Sequence, residues 1–399
     1  MSREAWIWAG VGFGHCVITV WLFNVSHALG LDEQRIKRVK ILLLAFFATA
    51  AGWLTWEASS GPWRAWSIPA QFYAAVCLAS GLIGFPVANL ARILRRTPAG
   101  IAERTEEVGL KEVFGDEPPI GRGKHAWMLR LPGNESLRLR RRDWQVTLPG
   151  LPAAWDGLRL VHISDLHFAP CFERRFFETV AQAARSWDAD LVLFTGDLID
   201  HDETIDWVVP VLSSLRGRLG NYAILGNHDV THRPDRILSE LERAGFTHLD
   251  GRWERLEIGG RTLALGGTSH PWGPLPELGG LPEADFRLLM SHTPDLLYRA
   301  SRWGIDLMLS GHNHGGQIRL PGIGPVFMPS VYSRRFDRGF FRAGGTLLHV
   351  SQGVSGMHPL RYGCVPEVSR LVLRLETSAH RPRMGQRSEV READGLFTG

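Results

Sequence analysis

Five short motifs, each placed where an apolar run stops, restrict the fold of this chain more than any other feature. They are Asp165-Leu166-His167, Gly196-Asp197-Leu198-Ile199-Asp200, Gly226-Asn227-His228-Asp229, Ser291-His292 and Gly311-His312-Asn313-His314. Carboxylates, imidazoles and one amide form a mixed oxygen and nitrogen donor set, the kind that holds two divalent metal ions side by side. Residues so far apart in sequence meet only if the apolar runs are strands whose carboxyl ends open onto one edge. Parallel strands of an α/β sheet do this, because the loops beyond their carboxyl ends converge there. Gly196, Gly226 and Gly311 allow the tight turns that direct neighbouring side chains inward.

From about Trp144 the chain has the matching texture, with short apolar strands alternating with helical stretches. Residues 158–163, 191–194, 222–225, 263–265, 286–290 and 306–309 read as buried strands. Residues 172–187, 234–244 and 294–302 read as the helices between them. Residues 347–351 and 368–375 read as returning strands that close a second sheet. The expected fold class is therefore a layered α/β domain, with no internal repeat. The tail from Ser378 is polar and is expected to be disordered.

The first hundred residues have a different character. Residues 6–25, 39–56 and 66–94 are apolar stretches near bilayer-spanning length and carry no polar stripe of the kind a surface helix shows. They read as three transmembrane helices, the third bent near Pro69 or Pro86. Trp6, Trp8, Trp53, Trp56, Trp63 and Trp66 are placed to act as interfacial anchors. Ser80, Gly81 and Gly84 offer a small-residue surface for contact with another helix. Arg35, Lys37, Arg38 and Lys40 fall in the first loop, and Arg92, Arg95 and Arg96 follow the third span. Positive-inside logic then places the N-terminus outside, and the first loop and everything after Leu94 in the cytoplasm. A cleaved signal peptide followed by a membrane hairpin is the competing reading. Arg3 is the only cation before the first run, however, and no small-residue cleavage site follows it.

Four regions follow: a membrane region over 1–96, an Arg-rich linker over 97–143, a catalytic domain over 144–377 and a tail over 378–399. The linker is expected to hold little structure beyond a short helix. Its Arg138, Arg140, Arg141 and Arg142 read either as a solvated basic linker or edge strand, or as contacts to anionic headgroups. The net charge of +4 is modest and argues little by itself. Cys16 and Cys77 fall in spans, while Cys171 and Cys364 show no metal-like spacing, so a reducing compartment fits and none reads as a nucleophile.

The ordered blocks D-x-H, G-D-x-x-D, G-N-H-D, a later His and G-H-x-H closely resemble the calcineurin-like metallophosphoesterase superfamily over roughly residues 144–375. The resemblance implies a two-sheet α/β/β/α sandwich and a dinuclear centre of Mn, Fe or Zn. It assigns Asp165, His167 and His314 to one ion, Asn227, His292 and His312 to the other, and Asp197 to both. It further implies hydrolysis of a phosphoester by a hydroxide shared between the ions, with His228 as general acid and Asp200 as its orienting partner. Where several protein-phosphatase relatives have an arginine, this chain has His201, a departure that weakens a phosphoprotein reading. His162 lies within a strand and reads as structural, whereas His232 and His270 read as ordinary polar loop residues, with a place at the border of the pocket as the lesser alternative.

Residues 350–354 and 359–367 look like the C-terminal pattern of bacterial membrane-associated members, some of which hydrolyse UDP-2,3-diacylglucosamine in lipid A biosynthesis at the cytoplasmic face of the inner membrane. This implies the bilayer as a partner and a phosphorylated lipid or lipid-nucleotide as substrate. In the segment 331–342, Arg334, Arg335 and Arg338 alternate with aromatics, and they read either as contacts to such a substrate or as an ordinary solvated hairpin. Two alternatives stand beside this reading. One is a phosphodiesterase of soluble nucleotides or nucleic acid, which the lack of a broad basic stripe over the catalytic domain disfavours. The other is a non-catalytic scaffold, against which Asn227, His228 and Asp197 are all present.

Overall fold

The computed structural model describes residues 3–31, 33–277 and 280–376, so the tail over 378–399 lies outside the described residues. Helices α1 (Arg3–His27) and α2 (Glu33–Ser60) are unbroken. The third span joins α3 (Ile68–Ala79), a π-helical turn (Ser80–Gly84) and α4 (Phe85–Ile93). Pro86 accounts for the π turn, because its ring lacks an N–H and crowds the preceding turn. Pro69 sits in the first turn of α3, where the missing donor costs nothing. Three stretches, Ala5–His27, Gln34–Ser60 and Ile68–Ile93, are long and apolar enough to cross a membrane.

These spans pack through small residues. A Cβ on Gly14 would fall 1.7 Å from the Cys77 carbonyl oxygen, and one on Gly81 would lie 3.0 Å from the Gly14 backbone. Gly81 therefore meets a helix of its own chain, through the close backbone approach that drives association where lipid removes the hydrophobic gain. His15 fastens all three spans, with Nδ1 2.6 Å from the Tyr73 hydroxyl and Nε2 3.1 Å from the Phe47 carbonyl. Trp66, expected as an anchor, is buried against Trp8 and Trp63.

The Arg-rich stretch expected to be largely unstructured is part of the domain. Strands β1 (Ile101–Val108) and β2 (Leu139–Leu148) pair antiparallel, with short helix α5 (Leu110–Phe114) between them. Charge explains the pairing. Arg138 and Arg140 reach Glu107 at 2.6 and 2.9 Å, Arg141 reaches Glu106 at 2.9 Å, and Arg142 reaches both Glu103 at 2.5 Å and Glu367 at 2.6 Å. Glu106 and Glu107 stand directly opposite Arg141 and Arg140 in the register. Each strand looks like polar linker when read alone, and together they neutralise one another.

The other strands are β3 (Arg159–Ile163), β4 (Leu191–Phe194), β5 (Asn221–Ala223), β6 (Thr247–His248), β7 (Arg252–Ile258), β8 (Arg261–Thr268), β9 (Phe286–Ser291), β10 (Leu307–Ser310), β11 (Arg319–Leu320), β12 (Gly324–Pro325), β13 (Gly339–Ala343), β14 (Thr346–Val350) and β15 (Glu367–Leu375). One sheet runs β1-β2-β15-β3-β4-β5-β6 and the other β13-β14-β10-β9-β8-β7. Strands β3 to β6 are parallel, as are β8, β9, β10 and β14. Strand β15 departs from expectation, because it lies between β2 and β3 in the first sheet, leaving only β14 to join the second. Its apolar residues serve both faces, with Val368 toward the helices and Leu371 toward the other sheet, so hydropathy records its burial but not its neighbours.

Helices α6 (Arg174–Arg185), α7 (Val208–Leu212) and α8 (Pro234–Arg243) pack on the outer face of the first sheet. Helix α9 (Leu297–Arg302) packs on the outer face of the second. Between the sheets lie Leu160, Leu193, Leu265, Leu288 and Leu309. In β4, Leu191 and Leu193 face the other sheet while Val192 and Phe194 face the helices, and burial on both faces is why the run is continuously apolar. The architecture is a two-sheet α/β sandwich preceded by three long apolar helices.

The crossing of α1 and α3 yields a test. Gly14→Val should destabilise the full chain in detergent by about 1–3 kcal/mol, read as a lowered thermal midpoint. Gly12→Val, where a Cβ meets open space, should leave the midpoint unchanged.

Candidate metal centre

The carboxyl ends of β3, β4, β5, β9 and β10 open onto one edge where the two sheets meet. The turn after β3 carries Asp165 and His167, the turn after β4 carries Asp197 and Asp200, and the turn after β5 carries Asn227 and His228. His292 follows β9, and His312 and His314 follow β10. All seven residues expected to hold metal are brought together there, along with His228 and Asp200.

The cluster has two halves. In one, ligand atoms of Asp165, His167, Asp197 and His314 lie within 4.8 Å of one another; in the other, those of Asp197, His292 and His312 do. Asp197 belongs to both. Its Oδ2 is 3.4 Å from His167 Nε2 and 3.4 Å from His292 Nε2, while its Oδ1 accepts the His228 N–H at 2.9 Å. Asn227 Oδ1 and His312 Nδ1 approach the same His292 nitrogen at 3.0 and 3.1 Å. Asp165 Oδ1 is 3.7 Å from His314 Nε2, and both its oxygens accept the His312 N–H.

These residues fit a pair of cations. Asp197 Oδ2 and His167 Nε2, 3.4 Å apart and both facing the cluster, are buried without a hydrogen-bond partner. Such atoms are costly in an ordinary interior, and a carboxylate oxygen and an imidazole nitrogen facing each other without a partner are what a cation satisfies. Burial pushes the Asp197 carboxyl up, yet the imidazoles of His292, His228 and His167 outweigh it and hold it well below the usual carboxylate range. Burial pushes His314 down to about 3 and takes His312 well below its ordinary value, leaving both neutral, the form that binds metal.

Supporting contacts set the ring orientations. Asp200 Oδ1 lies 2.7 Å from His167 Nδ1 and 2.6 Å from His228 Nδ1. Sequence reasoning paired Asp200 with His228 alone; here it also turns the His167 Nε2 toward the cluster. His292 Nδ1 is likewise held by the Thr195 carbonyl at 2.8 Å. Among the described residues, eight non-glycine residues have positive φ, and five of them are Asp165, His167, Asp197, His312 and His314. Strained backbone concentrated in this way marks a functional site.

The glycines do two different jobs. Gly196, with φ +93°, supplies a conformation other residues avoid. Gly226 and Gly311 supply space instead, since a Cβ would fall 2.0 Å from Asp197 Oδ1 in one case and 2.2 Å from Asp165 Oδ2 in the other.

Two residues escaped sequence reasoning. Asp229 accepts from the Leu198, Ile199 and Gly226 N–H groups, all at 2.9 Å, and so ties the second motif to the third. Burial and the Asp197 charge push it up to about 7. Its place in the G-N-H-D block was the available signal. Trp272 packs with its ring centroid 5.0 Å from His312 and 5.9 Å from His292, and only the convergence of the loop after β8 hinted at it. His270 is half-buried in that loop. His232 pairs with Asp202, His201 is exposed, and His162 is buried between His349 and Thr195. In the 350–367 run, the Val354 and Ser355 N–H groups donate to the Asp165 carbonyl, and buried Arg361 donates to the Gln352 and Ser355 carbonyls.

The three arginines of the 331–342 segment have partners outside the cluster. Arg334 donates to the Ile323 and Pro325 carbonyls and lies over the Phe85 ring. Arg335 lies over Tyr298 and Phe336. Arg338 donates to Gln352 Oε1, which also accepts from Cys364, whose thiol donates to the His314 carbonyl. The Arg138–Arg142 run is occupied by carboxylates.

Residues 158–316 match the calcineurin-like phosphoesterase family. An uncharacterised metallophosphoesterase of Bacillus subtilis (strain 168), YkuE, is 30% identical over 234 residues, covering 56% of this chain and 82% of that protein. The phosphodiesterase YaeI of Escherichia coli (strain K12) is 30% identical over 223 residues, covering 54% and 82%. The UDP-2,3-diacylglucosamine pyrophosphatase LpxG of Chlamydia muridarum is 27% identical over 292 residues, covering 58% and 88%. With the intact donor set at the shared sheet edge, these likenesses establish that the chain belongs to the calcineurin-like phosphoesterase family and is a metal-dependent phosphoesterase.

Proposed function

We propose that this chain is a membrane-anchored dinuclear phosphoesterase that hydrolyses a phosphodiester or pyrophosphate bond in a lipid or lipid-nucleotide of the UDP-2,3-diacylglucosamine type. The observation that carries the reading is Asp197 Oδ2, placed equally between the His167 and His292 nitrogens, in a chain that begins with three bilayer-length helices. The Chlamydia muridarum relative points to the substrate class. The basic residues of the first loop and of the third span's exit favour the cytoplasmic face of a bacterial inner membrane for the catalytic domain.

In this proposal Asp165, His167 and His314 would hold one ion and Asn227, His292 and His312 the other, with Asp197 available to both. Nitrogen and oxygen donors without thiolate suit Mn, Fe or Zn. Two such ions supply an activated water and neutralise the phosphoryl oxygens of an in-line displacement. His228 is partly open to solvent, and its Nδ1 is held by Asp200. The adjacent carboxylates favour its imidazolium, so the other ring nitrogen donates a proton to the leaving oxygen. Asp200 keeps both His167 and His228 in the productive orientation. Arg338, linked to the site through Gln352 and Cys364, is a candidate substrate contact alongside Arg335, and Arg334 reads as a clamp between the third span and the domain.

Detergent-solubilised full chain with Mn²⁺ should release UMP from UDP-2,3-diacylglucosamine, and Asn227→Ala should lower the rate by at least about 100-fold. Absence of release, together with Mn²⁺-dependent cleavage of an aryl phosphodiester, would overturn the lipid-nucleotide substrate and keep the chemistry. His228→Gln should slow a substrate with a poor alkyl leaving group by about 100-fold or more. The same variant should barely affect a p-nitrophenyl ester, whose leaving group needs no proton.

A further inference from the structure

The ends of the membrane helices grip one segment of the catalytic domain, residues 317–338. Asn24, in the last turn of α1, accepts the Met328 N–H at 2.9 Å and donates to the Val326 carbonyl at 3.2 Å and to Ser333 Oγ at 3.1 Å. Asn89 of α4 donates to the Gly322 carbonyl at 2.9 Å, in the turn between β11 and β12. Asn89 lies one turn inside the end of the third span at Ile93, so the turn reaches the depth of apolar helix rather than standing clear of it. Beyond the span, Arg95 pairs with buried Asp337 at 2.8 Å.

This segment is also the most apolar part of the domain surface. Outside the spans, ten large apolar side chains are exposed among the described residues. Five of them, Ile318, Leu320, Phe327, Val331 and Tyr332, fall here. An apolar patch continuous with membrane helices is matched by the boundary of headgroups and acyl chains, where such side chains gain what they lose in water.

The same segment forms a wall beside the metal centre. A Cβ on Gly316, two residues after His314, would fall 2.2 Å from the Pro325 side chain. Arg319 donates to the Gly315 carbonyl at 2.7 Å and pairs with Asp337 at 2.9 Å, completing a chain of contacts from Arg95 to the His314 turn. A Cβ on Gly356 would lie 3.7 Å from the His314 ring, and its neighbour Met357 is exposed.

We infer that the β11–β12 hairpin and the 326–332 loop lie in the bilayer interface, and that the His314 side of the centre receives an amphiphile whose acyl part stays in that bilayer. The second half of this inference rests on the lipid-substrate reading above, whereas the first does not. The occupant of the apolar surface is the bilayer that the three spans occupy.

The test uses the full chain in nanodiscs of phosphatidylethanolamine and phosphatidylglycerol. An environment-sensitive fluorophore on Phe327→Cys, in a Cys16→Ser background, should be quenched by brominated lipid and shielded from aqueous iodide. The same label on Arg255→Cys, in β7, should show the opposite. Iodide quenching at both positions would overturn the insertion. Leu320→Glu with Phe327→Glu should cut turnover of UDP-2,3-diacylglucosamine in vesicles at least about tenfold, with hydrolysis of a water-soluble aryl phosphodiester unchanged. Equal losses on both substrates, or none on either, would overturn delivery from the bilayer. If the unaltered chain leaves the lipid-nucleotide intact, the substrate reading fails, while the fluorophore still decides the insertion.

Discussion

The Asp197 carboxylate is the point on which the two sheets converge. One oxygen faces His167 from the first sheet and His292 from the second at the same distance, and the other is held by the His228 amide. A position shared in this way leaves little room for error. Gly226 must lack a Cβ to pass Asp197, Asp229 must hold the Leu198, Ile199 and Gly226 amides in place, and several neighbouring residues adopt positive φ. The sandwich core around Leu193, Leu288 and Leu309 sets the distance between the sheet edges. Stability stored in the core thus sustains strain at the site.

The membrane helices are joined to this centre by more than a covalent link. Asp337 is buried, which pushes its carboxyl up, but Arg95 and Arg319 outweigh burial and hold it below the usual carboxylate range. Arg95 leaves the third span and Arg319 supports the Gly315 carbonyl beside His314, so one carboxylate couples the exit of a membrane helix to a turn of the metal centre. Asn24 adds contacts from the first span to the same segment, and Phe85 of the third span lies under Arg334. The domain is thereby fixed against the ends of the apolar helices.

Much of the sandwich was legible because buried parallel strands are continuous apolar runs and their ends carried the motifs. Residues 191–194 coincide with β4 for that reason. The pairing of β1 with β2 was not legible: glutamates and arginines dozens of residues apart look like solvated linker until they stand opposite each other. The packing of the 331–342 arginines was equally hidden. Their alternation with aromatics carried no sign that Arg334 closes the seam between Phe85 and the Pro325 hairpin.

By itself the sequence determined the donor set, the order of the strands that carry it and the presence of three bilayer-length apolar segments, since each is written in residue type and local period. Tertiary structure alone decided which atoms share Asp197, that Asp200 serves two histidines, and that Trp272 covers one side of the centre. It also decided that β15 fills the first sheet and that the spans close on residues 317–338. These are contacts between residues far apart in the chain, and only packing determines which of many chemically acceptable partners each side chain meets.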